Sequence, residues 1–143
     1  MIFEFPDDPA TAYLDKQYML GDSLLVAPVF HASIAQFYIP AGRWTCFWAG
    51  EVVEGPQYVK KENYPIDMIT VFVRPGTVLL LGPEDVDVPD YEYAKRGLEV
   101  RTYELSEDVE VRVPSGKGSE WGGTVKISLS GKVEPGGVKI IGQ

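Results

Sequence analysis

The sequence has very little of the two residue types that most often build reactive centres. Among its 143 residues there is one cysteine, Cys46, and one histidine, His31. One cysteine excludes an internal disulfide and a thiolate metal cluster. One histidine excludes every Ser-His-Asp triad except one built around His31, which has no cysteine, aspartate or serine at a suggestive spacing. We therefore interpret His31 as a solvated or hydrogen-bonded residue, and we predict no metal and no cofactor.

Positive charge is also scarce, with 13 basic side chains against 21 acidic ones and a net charge of −8. This balance removes the attraction that dominates binding to nucleic acid and to anionic membranes, so we expect neither partner. The longest apolar run, at residues 24–30, is far too short to span a bilayer. The first residues lack the basic region of a signal peptide, and the localisation stays unassigned.

Length excludes a large catalytic domain, because a complete eight-stranded α/β barrel needs roughly 250 residues. The composition is nevertheless that of a folded protein, with 45% hydrophobic and 24% charged residues. The chain is therefore expected to fold as a small domain or as part of a larger protein.

The first 21 residues have a pattern of their own. Residues 2–5 predict a short apolar strand, and Asp8 followed by a proline is typical of a helix N-cap and first helical position. Apolar residues then recur at helical spacing as far as Gly21, which suits a helix C-terminus. We expect one β-α unit over residues 1–21, which cannot bury both of its faces alone.

From residue 22 onward, short strands separated by glycine, proline and acidic turns predict a mainly β fold. We expect an antiparallel β-sandwich over residues 22–95, whose last two strands flank an Arg-Pro-Gly turn at residues 74–76. The acidic run at residues 84–92 is interpreted as a solvated connection rather than a calcium loop. Residues 96–143 alternate apolar and polar side chains but supply few strands, so we expect the start of an incomplete second β domain.

Asp7 and Asp8 are the first candidate site residues, because glycoside hydrolysis and acid-base catalysis use paired carboxylates. A retaining glycosidase, however, needs its two carboxyl groups on opposite sides of the bond that is cleaved. Adjacent residues seldom achieve this arrangement. We therefore favour a role for both residues in holding the loop, with Asp8 as the N-cap.

Aromatic residues provide the second candidate site. Trp44 and Trp48, with Phe47 and Tyr58 nearby, could form a platform on which a sugar ring stacks. Aromatic residues at period-two spacing in a strand more often pack in a core, and we favour that interpretation. The residues alone therefore supply no catalytic constellation.

Several segments resemble those of one known family, in the same order along the chain. They are Phe-Glu-Phe-Pro-Asp-Asp-Pro at residues 3–9, Tyr-Leu-Asp-Lys-Gln-Tyr-Met-Leu-Gly-Asp-Ser-Leu-Leu-Val-Ala-Pro-Val at residues 13–29, Phe-Tyr-Ile-Pro at residues 37–40, Gly-Arg-Trp-Thr at residues 42–45 and Val-Phe-Val-Arg-Pro-Gly-Thr at residues 71–77. They resemble the late-barrel region and the proximal C-terminal sandwich of glycoside hydrolase family 31. The Asp-Asp-Pro and Tyr-Met-Leu-Gly-Asp forms are most similar to the α-xylosidase branch, with α-glucosidases second.

The resemblance implies a retaining α-glycosidase built on a barrel that carries two catalytic aspartates. In the family these lie in Lys-Thr-Asp-Phe-Gly-Glu and Ser-His-Asp-Ile-Gly-Gly type segments, and neither segment occurs in this sequence. We therefore assign no catalytic residue. The resemblance makes residues 1–21 the last strand and helix of the barrel, residues 22–95 the proximal sandwich, and residues 96–143 the start of a truncated distal domain.

We accordingly expect the non-catalytic C-terminal part of an α-xylosidase-like enzyme, which braces the barrel and is inactive alone. Its expected partners are the missing barrel, in cis in the parent or in trans, and an oligosaccharide bound by the parent. Open strand edges also predict self-association. The alternative is a free-standing carbohydrate-binding or interaction module that uses Trp44 and Trp48 as a stacking surface.

Overall fold

The computed structural model describes residues 1–30, 34–65, 67–82, 97–114 and 121–136. His31, the acidic run at residues 84–92 and a last strand expected at residues 138–141 lie outside the described residues. The described part is mainly β with antiparallel pairing, as the sequence predicted, and it contains no helix long and apolar enough to cross a membrane. The chain divides into two compact units, Met1–Pro75 and Gly76–Gln143.

The first unit is built on a five-stranded sheet. Its strands are Tyr18–Leu20 (β1), Leu24–Ala27 (β2), Ile34–Cys46 (β3), Val52–Glu62 (β4) and Thr70–Val73 (β5). They lie in the order β1-β2-β5-β3-β4. The apolar run of β2 lies in the sheet interior, where Leu25, Val26 and Ala27 are all buried, as expected for a strand that is covered on both faces.

Strands β3 and β4 form a long hairpin that bends at a bulge between Ile39 and Gly42. Before the bulge β3 pairs with β4, and beyond it the last two residues of β3 also pair with β5. The ring of Phe37, which precedes the bulge, lies 5.3 Å from the ring of Phe72 on β5. Residues on both sides of the bulge therefore contribute to one hydrophobic core, which is consistent with a β-sandwich domain.

The β-α unit predicted for residues 1–21 is not formed. Residues 1–8 contain turns and no strand, and the helix is limited to a single 3-10 turn, Pro9–Tyr13. The expected strand finds no partner strand among the described residues, and the helix cannot continue because Tyr18–Leu20 pair with β2 as strand β1. Gly21, at φ +65°, is therefore the turn residue of a β-hairpin and not the end of a helix.

The second unit consists of two small sheets around a common core. Its strands are Thr77–Leu81 (β6), Glu99–Tyr103 (β7), Val109–Pro114 (β8), Trp121–Ile127 (β9) and Val133–Gly136 (β10). β6 pairs with β7, and the other three form a sheet in the order β10-β9-β8. Val113, Val125 and Ile127 are buried, whereas Arg112 and Lys126 beside them are exposed, which confirms the predicted alternation in β8 and β9.

The predicted turn at residues 74–76 would require strand β6 to pair with β5. The two strands do not pair. Gly76 adopts φ +78°, and its amide donates to the carbonyl of Tyr103 at 2.7 Å. This contact directs the chain after Pro75 into pairing with β7. The second unit thereby gains a strand that the sequence pattern assigned to the first sandwich.

Candidate functional site

Asp8 anchors the loop at the start of the chain. Its Oδ1 accepts a hydrogen bond from the amide of Ala10 at 3.0 Å, which is the N-cap interaction predicted for the helix start. Its Oδ2 accepts a hydrogen bond from the hydroxyl of Tyr38 on β3 at 2.7 Å. Thr11 is buried and donates through its hydroxyl to the Phe5 carbonyl at 2.9 Å. Together these bonds fix the loop against the sandwich.

Gln17 closes the second connection between this loop and β3. Its buried side-chain amide donates to the Tyr38 carbonyl at 2.8 Å, and its Oε1 accepts from the Tyr38 amide at 2.7 Å. Tyr38 is paired with Tyr58 on β4, but its own amide and carbonyl point away from β4 towards Gln17. One glutamine side chain thus takes the place of a neighbouring strand at this open edge of β3.

The hydroxyl of Tyr38 lies in an environment that disfavours its ionisation. Burial, the hydrogen bond to Asp8 and the negative charge of that carboxylate raise the pKa of Tyr38 from 10.0 to about 12. The fold therefore stabilises the protonated form. This contribution to stability is fully present below pH 10 and is lost as the pH rises through about 12.

We expect Tyr38→Phe to lower the free energy of unfolding by about 1 kcal/mol at neutral pH, because the bond to Asp8 is lost. We also expect the variant to lose less stability than the wild type between pH 10 and about 12. Urea denaturation at a series of pH values measures both effects. Tyr13→Phe is the control, since Tyr13 is 90% exposed. If the free energy of unfolding falls equally with pH in the wild type and in Tyr38→Phe, the raised pKa of Tyr38 would be contradicted.

The two candidate carboxylates, Asp7 and Asp8, differ in their exposure and in their contacts. Asp7 is exposed, whereas Asp8 is partly buried and uses both of its oxygens to hold the loop. The side chain of Asp8 is therefore occupied structurally, which is the role the sequence favoured for it. Among the described residues there is also no group of three or more histidine, cysteine, aspartate or glutamate side chains that could hold a metal ion.

Trp44 is buried and lies against the partly exposed side chain of Arg74. The indole is 1% exposed, and its Nε1 donates to the Pro40 carbonyl at 3.1 Å. The guanidinium of Arg74 lies 5.6 Å from the Trp44 ring and 5.1 Å from the Phe5 ring, and its Nη1 pairs with Glu4 at 2.7 Å. Trp44 therefore has no face free for a sugar and packs in the core, which is the interpretation favoured from the sequence.

The other aromatic candidates do not form one surface. Trp48 is 57% exposed, contacts Phe47 at 4.8 Å and donates through Nε1 to the Ile69 carbonyl at 2.7 Å. Tyr58 lies on β4, where its ring is 4.8 Å from that of Tyr38. Sequence reasoning missed Tyr38, because the apolar run around it gives no alternation that would separate a core residue from a residue of the site.

Comparison with known proteins places this fold among carbohydrate-active enzymes. An α-glucosidase from Bacillus thermoamyloliquefaciens is 32% identical over 94 residues, which is 63% of this chain and 12% of the relative. An α-xylosidase from Lactiplantibacillus pentosus is 32% identical over 110 residues, 75% of this chain and 14% of the relative. The structure of an α-xylosidase from Xanthomonas citri matches 100% of this chain and 17% of its own, at 29% identity and a TM-score of 0.68.

These matches show that the chain is similar to part of several glycosidases. The model of the glycosyl hydrolase family 31 C-terminal domain matches residues 1–79, more than half of the chain. The chain therefore belongs to glycosyl hydrolase family 31. It spans only 12% and 14% of the length of the two curated relatives described above.

Proposed function

We propose that the chain is the non-catalytic C-terminal part of a retaining α-glycosidase, that it braces the catalytic barrel, and that it is inactive alone. The family match over residues 1–79 supports this role, as does the small share of each relative that the chain covers. In this proposal residues 1–21 adjoin the barrel, the rest of the first unit as far as Pro75 forms the proximal domain, and the second unit, from Gly76, begins the distal one. The parent acts on an α-xyloside, with an α-glucoside as the second candidate.

The observation that carries the proposal is the exposure of large apolar side chains near the start of the chain. Phe3 is 99% exposed and Tyr13 is 90% exposed, and Ile2, Tyr18 and Leu20 are about half exposed. Concentrated apolar exposure of this kind marks a surface that another part of a protein covers. We assign the barrel as that partner because the relatives are several times longer than the matched segment.

The chemistry of retaining hydrolysis supports placing the catalytic groups in the barrel. The reaction needs a nucleophile and a general acid whose carboxyl groups lie roughly 5–5.5 Å apart across the sugar bond. Asp7 and Asp8 are adjacent in sequence, and both oxygens of Asp8 are already hydrogen-bonded. Neither aspartate is therefore suited to that reaction.

Co-expression tests the proposal. The barrel portion of the Lactiplantibacillus pentosus α-xylosidase, without its own matched segment, is produced with and without this chain. We expect the two pieces to co-purify and to hydrolyse an aryl α-xyloside together, and we expect neither piece alone to do so. Substitution of Phe3 and Tyr13 by aspartate is expected to abolish both results, because charged groups would be buried at the contact.

Two outcomes would contradict this proposal. Hydrolysis by the purified chain alone would show that it contains its own catalytic groups. Failure of the two pieces to associate, with both shown to be folded by circular dichroism, would remove the bracing role.

A further inference from the structure

An open groove of about 400 Å³ lies in the first unit, beside the hairpin of β3 and β4. Its walls come from the segment that follows the 3-10 turn, from residues just after β2 and from both strands of the hairpin. They include Lys16, Phe30, Gln36, Tyr58 and Lys60. This volume falls in the range of roughly 300–1,000 Å³ that is typical of pockets for small ligands. Phe3 and Tyr13, the exposed residues from which the bracing role is argued, do not line this groove.

Tyr58 provides a fixed aromatic surface in this groove. Its side chain is 63% exposed, and its ring lies 4.8 Å from that of Tyr38. Tyr38 is itself held at three atoms, by Asp8 at the hydroxyl and by Gln17 at the amide and carbonyl. A ring supported in this way loses little conformational freedom when a ligand stacks on it, which favours binding.

The polar side chains of the groove favour a neutral, hydroxyl-rich ligand. Asp15, Lys16, Gln36 and Lys60 offer both hydrogen-bond donors and acceptors, and Lys60 is already paired with Glu62 at 2.7 Å. A protein surface pressed onto the groove would strip water from these charges at a high cost in free energy. A sugar can bond to them one at a time and leave them partly hydrated.

We propose that this groove binds a neutral oligosaccharide, with one pyranose ring stacked on Tyr58 and with hydroxyl groups bonded to Gln36 and Lys60. The sugar's apolar C–H face and the aromatic ring are complementary, as in other contacts to the ring face. The class of ligand rests on the proposed function, since oligosaccharides are what the parent would handle. The groove binds the ligand and does not cleave it.

Titration of the full chain with maltotriose and with an α-xylosyl-glucose disaccharide, followed by amide chemical shifts in NMR, tests the proposal. We expect saturable shifts at residues of β3 and β4 that line the groove. Tyr58→Ala is expected to weaken binding about tenfold or more, and Tyr58→Phe is expected to retain it because the ring remains. Trp48→Ala is the matched control, since Trp48 is also an exposed aromatic but lies outside the groove.

The proposal is overturned if neither sugar produces saturable shifts, or if Trp48→Ala weakens binding as much as Tyr58→Ala does. It is also overturned if shifts in the groove depend on protein concentration and not on sugar, because the occupant would then be a second copy of the chain. If Tyr58→Ala fails to fold, Gln36→Ala and Lys60→Ala provide the test, because both side chains are proposed to bond to hydroxyl groups of the sugar. Release of free monosaccharide during the titration would refute the proposed function and leave the binding result intact.

Discussion

Replacing Gly55 with alanine is expected to lower the free energy of unfolding of the first unit by about 3 kcal/mol, the upper range for overpacking in a core. Gly55 faces the bulge at which the long hairpin bends. A Cβ atom at this position would overlap the carbonyl oxygen of Pro40 and would lie 2.7 Å from that of Ile39. Both neighbours are backbone atoms, so the steric overlap can be removed only if the backbone of the bulge moves apart.

Urea denaturation followed by tryptophan fluorescence in a Trp121→Phe background measures this loss, because the remaining tryptophans, Trp44 and Trp48, both lie in the first unit. Gly82→Ala is the matched control, because no atom lies within 4 Å of a Cβ built at Gly82 and its backbone conformation is compatible with alanine. A change below about 0.5 kcal/mol in Gly55→Ala, the range of ordinary surface substitutions, would show that the bend is not tightly packed.

The second large effect is expected from Gln17→Leu, which keeps the approximate volume of the side chain but removes its amide. The backbone amide and carbonyl of Tyr38 would then remain buried without the partners they have at 2.7 and 2.8 Å. Each unpaired buried group costs about 1–3 kcal/mol, so the stability should fall by about 3 kcal/mol.

Gln36→Leu is the control for this variant. Gln36 lies on β3, the strand that carries Tyr38, but its side chain is exposed. Its substitution is expected to change the free energy of unfolding by less than about 0.5 kcal/mol. Hydrogen exchange of the Tyr38 amide adds a local measure, since this proton should exchange much faster in Gln17→Leu. If neither the exchange rate nor the free energy of unfolding changes, another group must form hydrogen bonds with the backbone of Tyr38.

The two hydrogen bonds between Gln17 and Tyr38 are also relevant to the proposed bracing role. Phe3 and Tyr13, the most exposed apolar residues of the first unit, lie on the loop that Gln17 and Asp8 fasten to the hairpin. Bracing requires this loop to be rigid, because a flexible loop would lose conformational entropy on contact with the barrel. Gln17→Leu should therefore weaken co-purification with the barrel as well as stability.

Some of the fold could be predicted from local pattern alone. The apolar run of β2 and the alternation at Val109, Val111 and Val113 depend only on the two-residue period of a strand and on which side faces a core. The N-cap at Asp8 is equally local, since the carboxylate bonds to an amide two residues away. These features were therefore predictable without a partner segment.

The first 21 residues show where local pattern is insufficient. Their helical spacing is real, but pairing of Tyr18–Leu20 with β2 competes with the helix and prevails. Helix propensity amounts to less than about 1 kcal/mol per residue, so tertiary pairing readily overrides it. At Trp44, in contrast, the period-two pattern favoured core packing, and the indole is buried.

By itself, the sequence determined the mainly β class, the family to which the chain belongs and the N-cap at Asp8, because each depends on the order of residues or on contacts between near neighbours. Only the tertiary structure decided that Gln17 would satisfy Tyr38, that Trp44 would be buried beneath Arg74 and that β6 would join the second unit. Those outcomes depend on which backbone groups are left unpaired once the strands have assembled. That is a property of the whole fold and of no single segment.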